Sequence, residues 1–160
     1  MSSRSPVTRL LLFYLDQAFG RRAWHGTTLG AAVRGVTVRQ ALWRPGPRRH
    51  NVWELVLHTA YWKYEVRRRL TGGDGSVFPR PGDDWPRLPT QTDDRAWKGD
   101  VALLRAEHQL FRRMVEHFPP ARLGRRIPGT RFIPVEQIQG IAAHDLYHCG
   151  QIQLLKRLQR

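Results

Sequence analysis

Two histidines near the C-terminal end of the chain, His144 and His148, have the spacing of metal ligands on a helix. Residues four apart in an α-helix project from the same side, so their imidazoles can converge on one ion. Both belong to a stripe of core-facing positions in steps of three and four: Ile141, His144, His148, Gln151, Leu155 and Leu158. Because an unpartnered imidazole is costly to bury, the pair predicts a metal site inside the protein.

A third ligand is needed because two imidazoles alone make a weak site, and His58 is the best candidate. It lies in the middle of a predicted helix, on a stripe with Asn51, Leu55, Trp62 and Glu65. His108, on the apolar seam of another predicted helix, is the rival ligand. An open fourth position would favour catalysis, whereas a fourth protein ligand would favour a structural site. The remaining histidines fall near element ends or in loops and are predicted to be solvated: His25, His50 and His117.

The neighbours of the paired histidines narrow the chemistry. Gln151 lies one turn after His148 on the same face, and it is predicted to orient an imidazole or a substrate. A polar residue at the edge of a cleft is the alternative role. Gly150 predicts that a neighbouring helix approaches closely. Asp145 stands where zinc proteases of the histidine-pair type need a glutamate base, which argues against a protease.

The charge of the chain is extreme, with a formal net charge of +14 at pH 7. Arginine supplies nearly all of it, in single residues, pairs and one triple, Arg67, Arg68 and Arg69. No single basic helix or arm stands out, so we interpret the charge as a general preference for arginine. Binding to nucleic acid is the alternative, and it would explain the charge but not two core-facing histidines.

The chain is predicted to be cytoplasmic. Its single cysteine, Cys149, excludes an intramolecular disulfide framework and fits a reducing compartment. The apolar run from Leu10 to Leu15 lacks the cleavage site of a signal peptide. No stretch approaches the roughly 18 apolar residues that span a bilayer.

Four long helices are predicted to position these residues: Pro6 to Phe19, Asn51 to Leu70, Thr92 or Asp93 to Phe118, and Pro134 nearly to Arg160. Proline, glycine and capping residues mark their ends. The stretch from Arg21 to Arg44 is predicted to be irregular with short helical turns, and Gly72 to Gln91 to be a long crossing loop. No convincing strand pattern is present. The sequence therefore predicts an all-α four-helix bundle that forms one domain over residues 1–160.

Two motifs resemble the DinB-like superfamily of damage-inducible and thiol-transferase proteins. The first runs from Asn51 to His58 in the second predicted long helix, and the other from His144 to Ile152 in the fourth. That family places a helical histidine after a short apolar run, then a His-xxx-His followed by x-Gly-Gln and an apolar residue. All of these positions are filled here, in the right order and at the right separation.

The resemblance implies an up-down-down-up four-helix bundle in which His58, His144 and His148 bind one divalent metal ion, zinc or nickel. Characterised members include bacillithiol transferases of the YfiT type and mycothiol-dependent maleylpyruvate isomerases, which use a low-molecular-weight thiol at the metal. This chain departs from the common pattern at Cys149, where relatives often carry a basic residue. We interpret Cys149 as a packed small residue, and a thiolate as fourth ligand is the alternative.

These features predict a cytoplasmic metal-binding protein in which the ion activates a thiol, or less favourably a water, for transfer to a small electrophile. The first alternative is a metal-binding stress-response bundle without turnover, and the second is a basic nucleic-acid-binding protein. A small-molecule substrate is the expected partner, no membrane is expected, and a homodimer is left open.

Overall fold

The computed structural model describes residues 4–20, 23–73 and 75–159. They form six α-helices and one short 3-10 helix: α1 (Pro6–Phe19), α2 (Leu29–Ala32), α3 (Val38–Leu42), α4 (Val52–Thr71), α5 (Asp94–His117), the 3-10 helix Pro120–Arg122 and α6 (Pro134–Leu158). No strand occurs within these ranges, and the predicted all-α class is confirmed. Some residues of the predicted irregular stretches, and the residue that the fourth long helix was predicted nearly to reach, lie outside the described residues: Arg21, Arg22, Asp74 and Arg160.

Local signals set the ends of the long helices. The side chain of Ser5 accepts a hydrogen bond from the backbone N–H of Thr8 at the start of α1. Asn51 and Glu54 form a reciprocal capping box at the start of α4. Gly72 ends α4 with φ of 83°, a left-handed conformation that glycine adopts without steric cost. The long helices consequently begin and end within a few residues of their predicted bounds.

The four long helices pack against one another with directions that side-chain contacts define. Arg4 contacts Glu116 and Arg112 contacts Asp16, so α1 and α5 are antiparallel. Trp53 bonds to Asp100 and Arg67 pairs with Glu107, so α4 and α5 are parallel. Lys63 pairs with Asp145 and His58 contacts His148, so α4 and α6 are antiparallel. The predicted up-down-down-up order stays a prediction, with which these directions agree.

The core consists of two apolar clusters with a buried polar layer between them. The first cluster contains Trp53, Leu57 and Leu104, and the second contains Leu15, Phe111 and Ile138. On α5, the buried apolar residues up to position 104 belong to the first cluster and those from 111 onward belong to the second. On α6 the order is reversed, with the second cluster up to residue 142 and the first from residue 149 onward. Four buried polar side chains lie near this change: Lys63, Glu107, His108 and Asp145.

Two predictions for α6 are wrong. Leu158, which was expected to close the core-facing stripe, is 54% exposed, because the last turn of α6 directs Lys156 and Gln159 toward the bundle, where they donate to the carbonyls of Ala32 and Gln40. Gly150 was expected to admit a neighbouring helix, yet no described atom of another element lies within 4 Å of the position that a Cβ would occupy.

Candidate metal centre

Three histidines from two helices meet inside the bundle. His58 comes from α4, and His144 and His148 come from successive turns of α6. The Nε2 atom of His144 lies 3.0 Å from the Nε2 atom of His58 and 3.0 Å from that of His148. All three candidate ligand atoms lie within 4.8 Å of one another. Nitrogens that bind one tetrahedral zinc ion at 2.0–2.1 Å are about 3.3 Å apart, so the spacing suits a common ion.

The outer ring nitrogens of two of these histidines are held by acceptors. Nδ1 of His58 donates to the backbone carbonyl of Asp84 at 2.6 Å, and Nδ1 of His148 donates to Oε1 of Gln151 at 2.6 Å. Each ring therefore carries its hydrogen on Nδ1 and presents the lone pair of Nε2 to the cluster. Nδ1 of His144 is buried without a hydrogen-bond partner among the described residues. Two lone pairs that face a third imidazole form a donor set that a cation would satisfy.

Burial keeps the three imidazoles neutral. It lowers the pKa of His144 to about 3, with further lowering from His148 and His58. Burial also lowers the pKa of His148 to about 4, against the bond from Gln151, and it lowers the pKa of His58. At neutral pH all three rings are thus in the form that binds metal ions, and no proton has to leave first.

His108 and Cys149, the alternative ligands, lie apart from the three-histidine cluster. The ring of His108 stacks on Phe19 with a centroid distance of 3.8 Å. Sγ of Cys149 donates to the backbone carbonyl of Thr27 at 3.2 Å, and burial raises the pKa of this thiol. Among the described residues, the group of side chains that could hold an ion contains the three histidines and neither of these two.

A loop segment before α5 covers the cluster, and sequence patterns did not reveal it. Trp85 stacks on His58 with a centroid distance of 4.0 Å and on His50 with one of 3.6 Å. Asp84 accepts from His58 through its carbonyl, and its carboxylate accepts from the indole N–H of Trp62 at 2.8 Å. His50, which was predicted to be solvated, is therefore half-exposed and packed beside the site. The loop has no periodic pattern, so its sequence carries no signal of these contacts.

A buried ion pair joins α4 to α6 beside the cluster. Lys63, one and a half turns after His58, contacts the carboxylate of Asp145, the neighbour of His144. Both side chains are fully buried, and one carboxylate oxygen of Asp145 has no hydrogen-bond partner among the described residues. Such a pair holds the two ligand-bearing helices in one register, because a shift would leave two charges unpaired in the core.

The family model described as the DinB superfamily matches residues 21–152. The chain therefore belongs to the DinB superfamily. No curated protein and no solved structure matches the chain significantly. Within the part of the chain that the structure describes, no helix combines the length and the apolar character that crossing a bilayer requires.

Proposed function

We propose that this protein binds one divalent metal ion through His58, His144 and His148. The observation that supports the proposal most strongly is the convergence of three neutral imidazoles on one point inside a DinB-superfamily chain. Zinc and nickel are the ions we propose, since both accept nitrogen ligands and imidazole suits each of them.

We further propose that the protein is a thiol transferase acting on a small electrophile. A divalent ion held by three neutral ligands would supply Lewis acidity that lowers the pKa of a thiol, giving a nucleophile at neutral pH. In the transfer, the thiol sulfur forms a bond to an electrophilic carbon, a leaving group departs from that carbon, and the thiol proton passes to solvent. The ring of Trp85 stacks on that of His58 and covers this ligand on one side.

The proposed setting is the cytoplasm. The one cysteine of the chain, Cys149, is buried as a free thiol, which suits a reducing compartment. Low-molecular-weight thiols also stay reduced there, so a thiol co-substrate would be available.

Metal content tests the ligand set. We would measure zinc and nickel by mass spectrometry in tag-free wild-type protein, His58→Ala and His148→Ala, with the exposed His117→Ala as matched control. About one ion per chain in the wild type and the control, and loss of the ion in both cluster variants, is the expected result. A wild-type protein that holds no metal after incubation with zinc and nickel would refute the proposal.

Turnover is tested separately on the metal-loaded protein. A panel of small thiols is offered with a chloronitrobenzene electrophile, and thioether formation is followed by absorbance, with His58→Ala as the inactive control. Transfer by the wild type alone supports the transferase. Full metal occupancy without transfer for any thiol would instead favour the metal-binding stress-response bundle without turnover.

A further inference from the structure

An apolar cleft opens beside the three-histidine cluster. It has a volume of about 250 Å³ and lies between α4 and α6. Its walls include Trp62, Val66, Phe132 and Ile141, His144 lines it, and Arg69 lines it too. The cleft is therefore a space in which the body of a small molecule could lie against a histidine of the cluster.

A second cavity, of about 490 Å³, shares Arg69 with this cleft. It lies where α4 ends and is completed by the 3-10 helix and the segment before α6. We call it the arginine pocket, after the four arginines that line it: Arg69, Arg122, Arg125 and Arg126. Because one side chain lines both spaces, the cleft and the arginine pocket are neighbours along one surface of the bundle.

The arginine pocket carries uncompensated positive charge. Arg69 pairs with Glu65 at 2.8 Å, and Arg122 lies over the ring of Phe118. Among the described residues, no carboxylate forms an ion pair with Arg122, Arg125 or Arg126. The lining includes no acidic side chain. Planar guanidinium groups match the oxygens of carboxylates and phosphates in pairs, so the chemistry selects an anion.

One aromatic side chain connects the two ends of this surface. The ring of Trp62 lies 6.5 Å from the ring of His58, and the guanidinium carbon of Arg69 lies 5.5 Å from the centroid of Trp62. We propose that the cleft and the arginine pocket bind an elongated small-molecule anion, with its carboxylate or phosphate on the arginines and its reactive end at the three histidines. This inference rests on the proposed function, and it assigns the substrate class of that site.

A third cavity supplies a matched control. It has a volume of about 740 Å³ and is lined by Arg34 and Arg105, together with Phe19 and Gly20. None of the three clustered histidines lines it. If general attraction to a basic protein explained anion binding, these two arginines would matter as much as Arg125 and Arg126.

The first test measures anion binding by isothermal titration with phenylacetate and phenyl phosphate, a carboxylate and a phosphate that do not chelate zinc. It uses zinc-loaded wild-type protein, the double variant Arg125→Gln/Arg126→Gln and the control Arg34→Gln/Arg105→Gln, which removes the same charge. At least one anion should bind the wild type and the control equally, and the arginine-pocket variant should bind it about tenfold more weakly, the loss of one charge-assisted contact. The anion that binds more tightly identifies carboxylate or phosphate as the preferred group.

Failure of either anion to bind, or equal weakening in both double variants, would overturn the proposal. The same titration on zinc-free protein, with metal content measured in parallel, separates this failure from failure of the metal site.

The second test asks whether one molecule contacts both the three-histidine cluster and the arginine pocket. Glutathione, a thiol with two carboxylates, and cysteamine, a thiol with none, are titrated into the zinc-loaded proteins. Glutathione should bind the wild type more tightly than cysteamine does. In Arg125→Gln/Arg126→Gln the affinity for glutathione should fall about tenfold, while the affinity for cysteamine stays unchanged. An unchanged preference would show that the arginines do not bind the anionic end of the thiol.

Discussion

The outer nitrogens of the clustered imidazoles control how the rings face a metal ion. Gln151 can only accept at Oε1, so His148 must carry its hydrogen on Nδ1 and offer Nε2 inward. The amide N–H₂ of Gln151 in turn donates to the hydroxyl of Tyr147 at 3.2 Å, which holds the amide in this orientation. His144 lacks such a partner, so His58 and His148 are the rings whose tautomers the protein sets.

Replacing Gln151 by Leu should weaken metal binding without removing it. The three ligands stay, but His148 loses the acceptor that holds its tautomer and ring angle, and outer partners of this kind are typically worth about tenfold or more in affinity. Competition with a chromophoric zinc chelator measures the change. Gln153→Leu, which removes a glutamine of the same helix that bonds to Thr27, is the control and should keep wild-type affinity. Equal affinities in the two variants would contradict the role of Gln151.

His108 should make the protein sensitive to acid. Burial lowers its pKa to about 3, with smaller contributions from Lys63 and Arg112, whereas in the unfolded chain the pKa is near 6.5. Between about pH 3 and pH 6.5, His108 is protonated in the unfolded state and neutral in the folded state. The stability contribution is therefore complete above about pH 6.5 and is lost as the pH falls toward 3, by up to about 1.4 kcal/mol per pH unit.

His108→Phe tests this pH dependence because it keeps a ring against Phe19 and removes the titrating group. Denaturant unfolding of the zinc-free proteins from pH 7 to pH 4 gives the free energy of unfolding of each. The wild type should lose more stability than the variant as the pH falls. Parallel pH profiles would show that the proton on His108 is not involved.

At the scale of elements, the helices could be predicted from the sequence because their signals are local. Capping residues, prolines and apolar periods act within a few positions, and the capping box of Asn51 and Glu54 is one such signal within a single turn. The pairing of His144 and His148 was also predictable, since helical spacing fixes the direction of a side chain, whereas His58 on another helix had His108 as its rival until the family motif favoured it. Asp84 and Trp85 were not, because their positions follow from the path of an irregular loop across the bundle. That path depends on distant anchors, such as the bond from Arg80 to Asp100.

The end of α4 offers a test of backbone conformation. Gly72 has φ of 83°, so Gly72→Ala should lower the free energy of unfolding by about 1 kcal/mol. Gly99→Ala should have the opposite effect and raise the free energy by about 0.5–1 kcal/mol. Gly99 lies exposed in the second turn of α5, and no described atom outside the local helix backbone lies within 4 Å of the added Cβ. Urea unfolding gives the free energy of unfolding of both variants. A stabilised Gly72→Ala would contradict the left-handed cap assigned to Gly72.

At the scale of the molecule, the ion pair of Lys63 and Asp145 should behave as a unit. Lys63→Met leaves a bare carboxylate between the apolar clusters, and removal of one partner of a buried pair costs about 3–5 kcal/mol. The double variant Lys63→Met/Asp145→Leu removes both charges and should recover most of that loss. Unfolding in denaturant measures both. If the double variant is as unstable as the single one, packing and not charge explains the loss.

The polar layer that contains this ion pair also has a consequence for how the bundle opens. If one apolar cluster separated while the other stayed packed, the ion pair of Lys63 and Asp145 would break. One of the two charges could then remain buried without its partner. Such half-open forms are penalised by both charges, so the two clusters should melt in one transition and not in sequence. The layer that interrupts the core would then be the feature that makes its two halves cooperative.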